Sequence, residues 1–505
     1  MKKSYRIIIM LFCIFTAMAN QSDAGEKFRS EPLNMALQNV FDSIHADADV
    51  MTQIRLLTDN EASWYSRWKM IDSAKTTIDT TYFIVHRDVF GLSFLGLLRK
   101  KAQEGVKVRL MVDGRNAVWS KGMKDVLQEL AGVPNVEMKW YNPPTSQLAE
   151  LFQHLTKIMA ANHDKIIIID GRLTMIGGRN IGADYFAGKG ELPVVYRDTD
   201  IVMNGYEMAE SLKVAFEEEW GLLKNALILP DRSNWIDQTD LLEFAYQCML
   251  KYMNGEGLIN PEENKDLSAK QKKIVEELNA ELGKFKCISK YPKFELFYGD
   301  RRKAVKVLDK HSCVGVRNDI SDNLIKFIDA SRDEVFLQSP YLVLSDAGKA
   351  AILRAANRGV KVILHTNSGA ATDNPFPISF FLNDWIDLLK GHKNIIIKVA
   401  RGQEDRLHSK TFVFDRQLAF IGSYNLDPLS DTINSEIVAV VFDQEFALMT
   451  RLRMENDTKT ALEYKIEVGP DGKVKTIFGP EDHTPPSALR KFNLLRKLSW
   501  LRPLI

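Results

Sequence analysis

Residues 163–180 read H-D-K-I-I-I-I-D-G-R-L-T-M-I-G-G-R-N, and residues 408–425 read H-S-K-T-F-V-F-D-R-Q-L-A-F-I-G-S-Y-N. His, Lys, Asp, Gly, Gly/Ser and Asn stand at offsets 0, 2, 7, 14, 15 and 17 of both. With each residue type at about 5% of average usage, six fixed positions coincide by chance with a probability on the order of 10⁻⁸. The chain therefore carries an internal duplication. The segments upstream repeat as well. Ile78 to Asp113 runs I-D-T-T-Y-F-I-V, an apolar-periodic stretch, then E-G-V-K-V-R-L-M-V-D. Glu334 to Asn367 runs E-V-F-L-Q-S-P-Y-L-V, another such stretch, then R-G-V-K-V-I-L-H-T-N. Strand, helix and strand with a glycine at the helix exit (Gly105, Gly359) predict a βαβ unit in each half.

The spacing within the repeat carries chemistry. Side chains two apart on a strand share a face, so His163 projects with Lys165 and His408 with Lys410. Gly177-Gly178 and Gly422-Ser423 let the backbone approach closely, which is expected to return Asn180 and Asn425 beside the lysines. An ammonium and an amide suit two non-bridging oxygens of a phosphate, and Ser423 offers a further hydroxyl. One imidazole cannot displace an alcohol from a phosphodiester alone, because the reaction needs a nucleophile on one side and a proton donor on the other. Two copies about a pseudo-twofold axis supply both. The other seven of the nine histidines, His45, His86 and His365 among them, are expected as core residues.

Bulk properties narrow the class. The chain has 505 residues, 45% apolar and 26% charged, which fits two or three globular domains and excludes a disordered, collagen-like or polytopic membrane chain. A formal charge of +1 gives no global field to attract nucleic acid. Four cysteines without a C-x-x-C pair exclude a zinc ribbon or a thioredoxin-type site.

The duplicated H-x-K-x4-D-x6-G-[GS]-x-N resembles the signature of the phospholipase D superfamily. More narrowly, the chain is similar to bacterial cardiolipin synthases in G-G-R-N-I-G-A-D-Y-F, in G-S-Y-N-L-D-P-L-S…N-S-E and in I-R-L-L-T-D-N-E-A-S-W near Arg55. The likeness covers roughly Arg55 to Lys224 and Lys303 to Val441. It implies an α/β fold with two phospholipase D-like α/β/α sandwich domains, related by pseudo-twofold symmetry, and an active site between them. It also implies that His163 attacks phosphorus to give a phosphohistidine while His408 acts as general acid and base. Lys165, Lys410, Asn180 and Asn425 would hold the phosphoryl oxygens, and no metal or other cofactor is implied. A carboxylate downstream of each motif orients its His through the other ring nitrogen. Glu436 fits in the second half, and Asp198 in the first, with Asp200 as the alternative. Asp170 and Asp415 are read as braces of the fold.

The expected reaction is phosphatidyl transfer on phospholipid substrates, phosphatidylglycerol and phosphatidylethanolamine, giving cardiolipin when a glycerol hydroxyl of phosphatidylglycerol attacks the intermediate. The alternative is a secreted or periplasmic phospholipase D releasing phosphatidic acid. A nuclease is disfavoured by the charge balance and the large decorations, so no nucleic-acid partner is expected. A binding-only protein would be expected to lose a His or Lys, and none is lost.

The remaining segments complete the expected organisation. Residues 1–19 hold Lys2, Lys3 and Arg6, a 13-residue apolar run from Ile7 to Ala19, and a terminal Ala17-Met18-Ala19. That pattern predicts a signal peptide and export, to a periplasmic, membrane-associated or secreted location. Residues 36–225 form the first domain, 226–300 a helical insertion or linker, 301–460 the second domain, and 461–505 a hairpin and basic tail. The tail is acid-free from Ser487 and carries Arg490, Lys491, Arg496, Lys497 and Arg502 among leucines and Trp500, so an anionic membrane surface is the expected contact. The aromatic stretch Phe376, Pro377, Phe380, Phe381 and Trp385 suits either lipid contact or core packing.

Overall fold

Each β-branched run flanking the repeated motif becomes a strand, and the strands assemble in the same spatial order twice. The structure, a computed structural model, describes residues 32–44, 50–115, 122–143, 160–231, 235–263, 265–300, 302–312 and 317–504. The export reading of residues 1–19 lies outside the described residues, as do Cys13, His45 and Cys313. In the first half the strands are β1 (Val50–Leu57), β2 (Thr77–Tyr82), β3 (Lys107–Asp113), β4 (Val136–Tyr141), β5 (Ile166–Ile169), β6 (Leu173–Gly177), β7 (Asp200–Asn204) and β8 (Ala226–Leu227). In the second half they are β9 (Arg302–Lys310), β10 (Glu334–Gln338), β11 (Lys361–Asn367), β12 (Ile395–Ala400), β13 (Thr411–Phe414), β14 (Leu418–Gly422), β15 (Glu436–Phe442) and β16 (Leu462–Glu463).

The order across the sheet is β16-β12-β11-β10-β13-β14-β15-β9-β1-β7-β6-β5-β2-β3-β4-β8. Read from either edge it gives the same sequence of equivalents, with the antiparallel pair β1–β9 at the centre. The halves thus share one mixed sheet, in which β2-β3-β4 and β10-β11-β12 are parallel. The parallel pairs arise from the predicted βαβ units. Helix Val89–Gln103 is capped by Asp88, which accepts from the amides of Phe90 and Gly91, and helix Asp346–Asn357 by Ser345. Both stop before a left-handed glycine, Gly105 at φ 95° and Gly359 at φ 90°.

Each half has its own apolar core, and a third core belongs to both. Ile176 and Ile201 of the first half pack in it with Ile421, Ile437 and Ala439 of the second, all fully buried. Burial of this kind is worth about 1.5–3 kcal/mol per large aliphatic side chain, so the seam between the halves is an apolar interior. Residues 226–300 hold the expected helices, Trp235–Met253 and Ala269–Leu282. They are no loose linker. Leu242, Met249, Val275 and Leu278 enter the first-half core against helix Val89–Gln103. Lys465–Val468 and Val474–Phe478 form the expected hairpin. The aromatic stretch lies on helix Pro375–Leu389, where Phe380, Phe381 and Trp385 pack in the interior while Pro377 faces a cleft. Among the described residues, no helix is long and apolar enough to cross a membrane.

Candidate active site

His163 and Lys165 occupy the extended lead-in to β5, and His408 and Lys410 the equivalent lead-in to β13. Each lead-in pairs with the opposite half. Asn162 bridges to Ser435 and Leu407 to Arg197 in parallel register, with the amide of Ser435 donating to Ala161 at 3.0 Å and that of His408 to Arg197 at 2.8 Å. The residue before each His is thereby locked to the residue before a carboxylate of the other half. His163 Nδ1 lies 2.9 and 3.0 Å from the two carboxylate oxygens of Glu436, and His408 Nδ1 lies 2.6 Å from Asp198 Oδ2.

This corrects the sequence reading, which gave each carboxylate to the His of its own motif. Glu436 serves the first-half His and Asp198 the second-half one. Asp200, the alternative, touches neither. It is buried between Arg67 and Arg179 at 3.0 and 2.8 Å. Arg179 also donates to the carbonyl of Asp198 at 2.6 Å, so this ion cluster holds the Asp198 backbone.

The small-residue pairs also act differently from the expectation. A Cβ on Gly178 would stand 2.1 Å from Asp198 Oδ1, and one on Gly177 2.1 Å from Asp200 Oδ1. The glycines make room for carboxylates, where the sequence reading had them bring asparagine toward lysine. Ser423, expected on phosphate, instead donates to Glu436 Oε2 at 2.5 Å, and Ser430 donates to Oε1 at 2.5 Å. Asp170 accepts from the amides of Lys75, Thr76 and Thr77, and Asp415 from those of Arg332, Asp333 and Glu334. Both tie the turn after the motif strand to the chain entering the neighbouring strand.

His163, His408, Asn180 and Asn425 line one cleft of about 540 Å³. Asn180 donates to the Tyr185 hydroxyl at 2.9 Å and accepts from the Ile84 amide at 3.3 Å. Asn425 Oδ1 is buried without a hydrogen bond, which leaves that end of the amide for a ligand. Lys165 donates to the carbonyl of its own motif's His163 at 2.5 Å, and Lys410 Nζ lies 3.0 Å from His408 Nδ1 and 3.3 Å from Nε2. Phe83 meets His163 edge-on at 5.1 Å, and Tyr185 and Tyr196 flank His408 at 5.2 Å each.

The electrostatics of the two pairs differ. Burial, together with the charges of Lys165, Lys410 and His408, holds the His163 pKa well below 6.5. A neutral His163 that donates Nδ1–H to Glu436 keeps an Nε2 lone pair for the cleft. Burial pushes the Glu436 pKa up to about 7. Burial opposes ionisation of Asp198 too, but the charge and hydrogen bond of His408, with Lys410 and Arg179, outweigh it and keep that carboxylate ionised. Burial and Lys410 lower His408, while Asp198 raises it. Asp198 is thus the partner able to support an imidazolium. Burial also lowers Lys165 to about 7. An anion bound near Lys165 would relieve that penalty.

Several wall residues escaped the sequence reading. Phe83 and His86 follow β2, Arg115 follows β3, Tyr341 follows β10 and Asp373 follows β11, and all five line the cleft. His86, expected as a core residue, belongs to this wall. The signal was available: ligands of open α/β sheets bind beyond the carboxyl ends of parallel strands. His365 is buried as expected, but neither ring nitrogen has a hydrogen bond.

Comparison with known proteins follows the same lines. The sequence profile of the family described as "Cardiolipin synthase, PLD-like domain" matches residues 68–220 and 324–457. Cardiolipin synthase C of Escherichia coli K12 is 28% identical over 404 residues, covering 76% of this chain and 80% of that one. Cardiolipin synthase A of Pseudomonas aeruginosa LESB58 is 25% identical over 418 residues, covering 82% and 69%. The crystal structure of phosphatidylserine synthase from Haemophilus influenzae Rd KW20 superposes with a TM-score of 0.60 at 14% identity, covering 93% of this chain and all of that one. At that identity the likeness is one of fold.

Proposed function

Because the chain belongs to the family described as cardiolipin synthase, PLD-like domain, we propose that it is a phosphatidyltransferase that joins phospholipids through a covalent phosphohistidine. The observation that carries the reading is the pair of cleft-lining imidazoles, each held through Nδ1 by a carboxylate of the opposite half. His163 Nε2 attacks the phosphorus of a phospholipid such as phosphatidylglycerol or phosphatidylethanolamine. The bond to the headgroup oxygen breaks as His408, supported by Asp198, gives that oxygen a proton. Lys165, Lys410 and Asn425 face the charge that gathers on the non-bridging oxygens. A hydroxyl of a second phosphatidylglycerol then gives its proton to His408 and attacks phosphorus, and His163 leaves unchanged. Cardiolipin is the product.

The enzyme works at a membrane surface in the cell envelope, to which the pattern of residues 1–19 directs it. Helix Pro486–Leu495 and the turn Ser499–Leu504 pack beside helix Pro375–Leu389 through Phe492 and Leu501, and Pro377 of that helix lines the cleft. Leu494 (66% exposed) and Trp500 (72%) point outward from the same segment as Arg490, Lys491, Arg496 and Lys497. A basic, aromatic-bearing surface on the segment packed against that helix suits anionic headgroups.

Incubating the protein with labelled phosphatidylglycerol, with and without phosphatidylethanolamine, tests the reading. Cardiolipin is expected. Phosphatidic acid as the sole product makes the protein a hydrolase, and absence of both overturns lipid chemistry.

A further inference from the structure

Behind His163, away from the cleft, the seam between the halves holds a second set of chemically capable side chains. Glu218 lies on helix Tyr206–Trp220 of the first half, Asp309 is on β9 of the second, and His311 follows it. His311 Nε2 stands 2.7 Å from Glu218 Oε2 and 3.2 Å from Asp309 Oδ2, and the three atoms lie within 4.8 Å of one another. A single N–H cannot serve both carboxylates. It goes to Glu218, and Asp309 Oδ2, in a residue only 2% exposed, is left without a hydrogen bond while aimed at the imidazole. Further inward, Glu219 and Asp164 each keep one buried carboxylate oxygen with no hydrogen bond. Buried carboxylates of this kind are paired or bind a cation in folded proteins.

We propose that Glu218, Asp309 and His311 bind a divalent transition ion of the zinc class, which ties the two halves together behind the catalytic cleft. One imidazole nitrogen and two carboxylate oxygens suit zinc more than calcium or magnesium, which take oxygen ligands. Ligand atoms about 2.0–2.2 Å from a tetrahedral ion stand roughly 3.3–3.6 Å apart, so the 2.7 Å contact between His311 and Glu218 opens as the ion enters. The ion takes the place of the Nε2 proton, which passes to solvent. The site is open to solvent on one side, since the Glu218 side chain is 43% exposed and that of His311 16%. Three protein ligands and water complete the coordination. Because the ion joins a first-half helix to a second-half strand, its effect falls on the docking of the halves.

The test is calorimetric titration of ZnCl₂ into chelator-stripped full-length protein, alongside thermal unfolding. The wild type is expected to bind zinc at micromolar concentration or tighter and to unfold at a higher temperature with zinc present. Glu218→Gln, at a solvent-facing position, and His311→Ala should each bind one ion fewer and lose the thermal shift, with metal-free turnover unchanged. Calcium and magnesium should give no shift. Wild-type protein that binds no zinc, or variants that bind as many ions as the wild type, overturn the site and leave His311 as the counter-ion of the two carboxylates.

Discussion

Nδ1 of His163 lies 2.9 Å from Oε1 of Glu436, a residue 273 positions further along the chain and in the other half of the sheet. The reciprocal contact, His408 with Asp198, spans 210 positions. Each catalytic candidate is therefore completed by a carboxylate from beyond the seam, and the separate roles of the two pairs can be tested.

If His163 is the nucleophile, as proposed, replacing it by Ala should remove turnover on every substrate. Replacing His408 by Ala should slow transfer from natural lipids about 10²- to 10⁴-fold, the usual worth of general acid–base catalysis. A substrate with a phenolate leaving group needs no proton donor, so only the His408 variant should still release the phenol in a stopped-flow burst. Equal loss in both variants on that substrate overturns the assignment.

The crossed pairing makes a further prediction for double variants. Asp198→Asn should add little to the defect of His408→Ala, since residues acting as a unit are non-additive, whereas Glu436→Gln should lower the residual rate of His408→Ala further. Measured kcat/KM values in which Glu436→Gln, and not Asp198→Asn, adds nothing to His408→Ala contradict the geometry.

Activity should fall on the acid side with a midpoint near the Glu436 pKa of about 7. Below it Glu436 is protonated and donates to Nδ1, so the imidazole carries its own proton on Nε2 and the nucleophilic lone pair is lost. The rate then drops about tenfold per pH unit. The raised pKa also means that the folded chain holds a proton the unfolded chain has released between pH 4.5 and about 7, so Glu436 subtracts from stability as pH rises through that window. A pH profile of kcat/KM with its acid limb near 4.5 rejects this account.

Gly178→Ala should leave circular dichroism unchanged and reduce turnover about 100-fold or more, because its Cβ would stand 2.1 Å from Asp198 Oδ1 and displace the partner of His408. Near-wild-type activity shows that Asp198 can move without consequence. Asp200→Asn, by contrast, should lower the free energy of unfolding in a denaturant titration by about 3–5 kcal/mol, since it strands two buried arginines.

Leu494→Ala with Trp500→Ala should weaken sedimentation with phosphatidylglycerol vesicles about tenfold or more while sparing turnover of a short-chain, water-soluble substrate. Unchanged vesicle binding rules out this surface as a membrane contact.

What could be read from the sequence was what depends on fixed local spacing. The offsets of His163, Lys165 and Asn180 repeat at His408, Lys410 and Asn425, and strand periodicity with Gly105 and Gly359 exposed both βαβ units. The partner of each His was not legible, because Asp198 and Glu436 follow their own motifs at similar distances and the bridges Asn162–Ser435 and Leu407–Arg197 join segments that are remote in the chain. Asp198 and Asp200 sit two residues apart and differ only in which buried cations they meet. Ser423 occupies a motif position, yet its hydroxyl is taken up by Glu436. Leu242 and Val275 looked like parts of a polar insertion because helical periodicity does not reveal which core a helix joins.

The palindromic sheet, with its centre at β1 and β9, makes reactivity report on completion of the whole fold. An imidazole in a half that has formed by itself has no fixed tautomer and no partner to take over the proton. Opening the midline would therefore separate both imidazoles from their carboxylates at once.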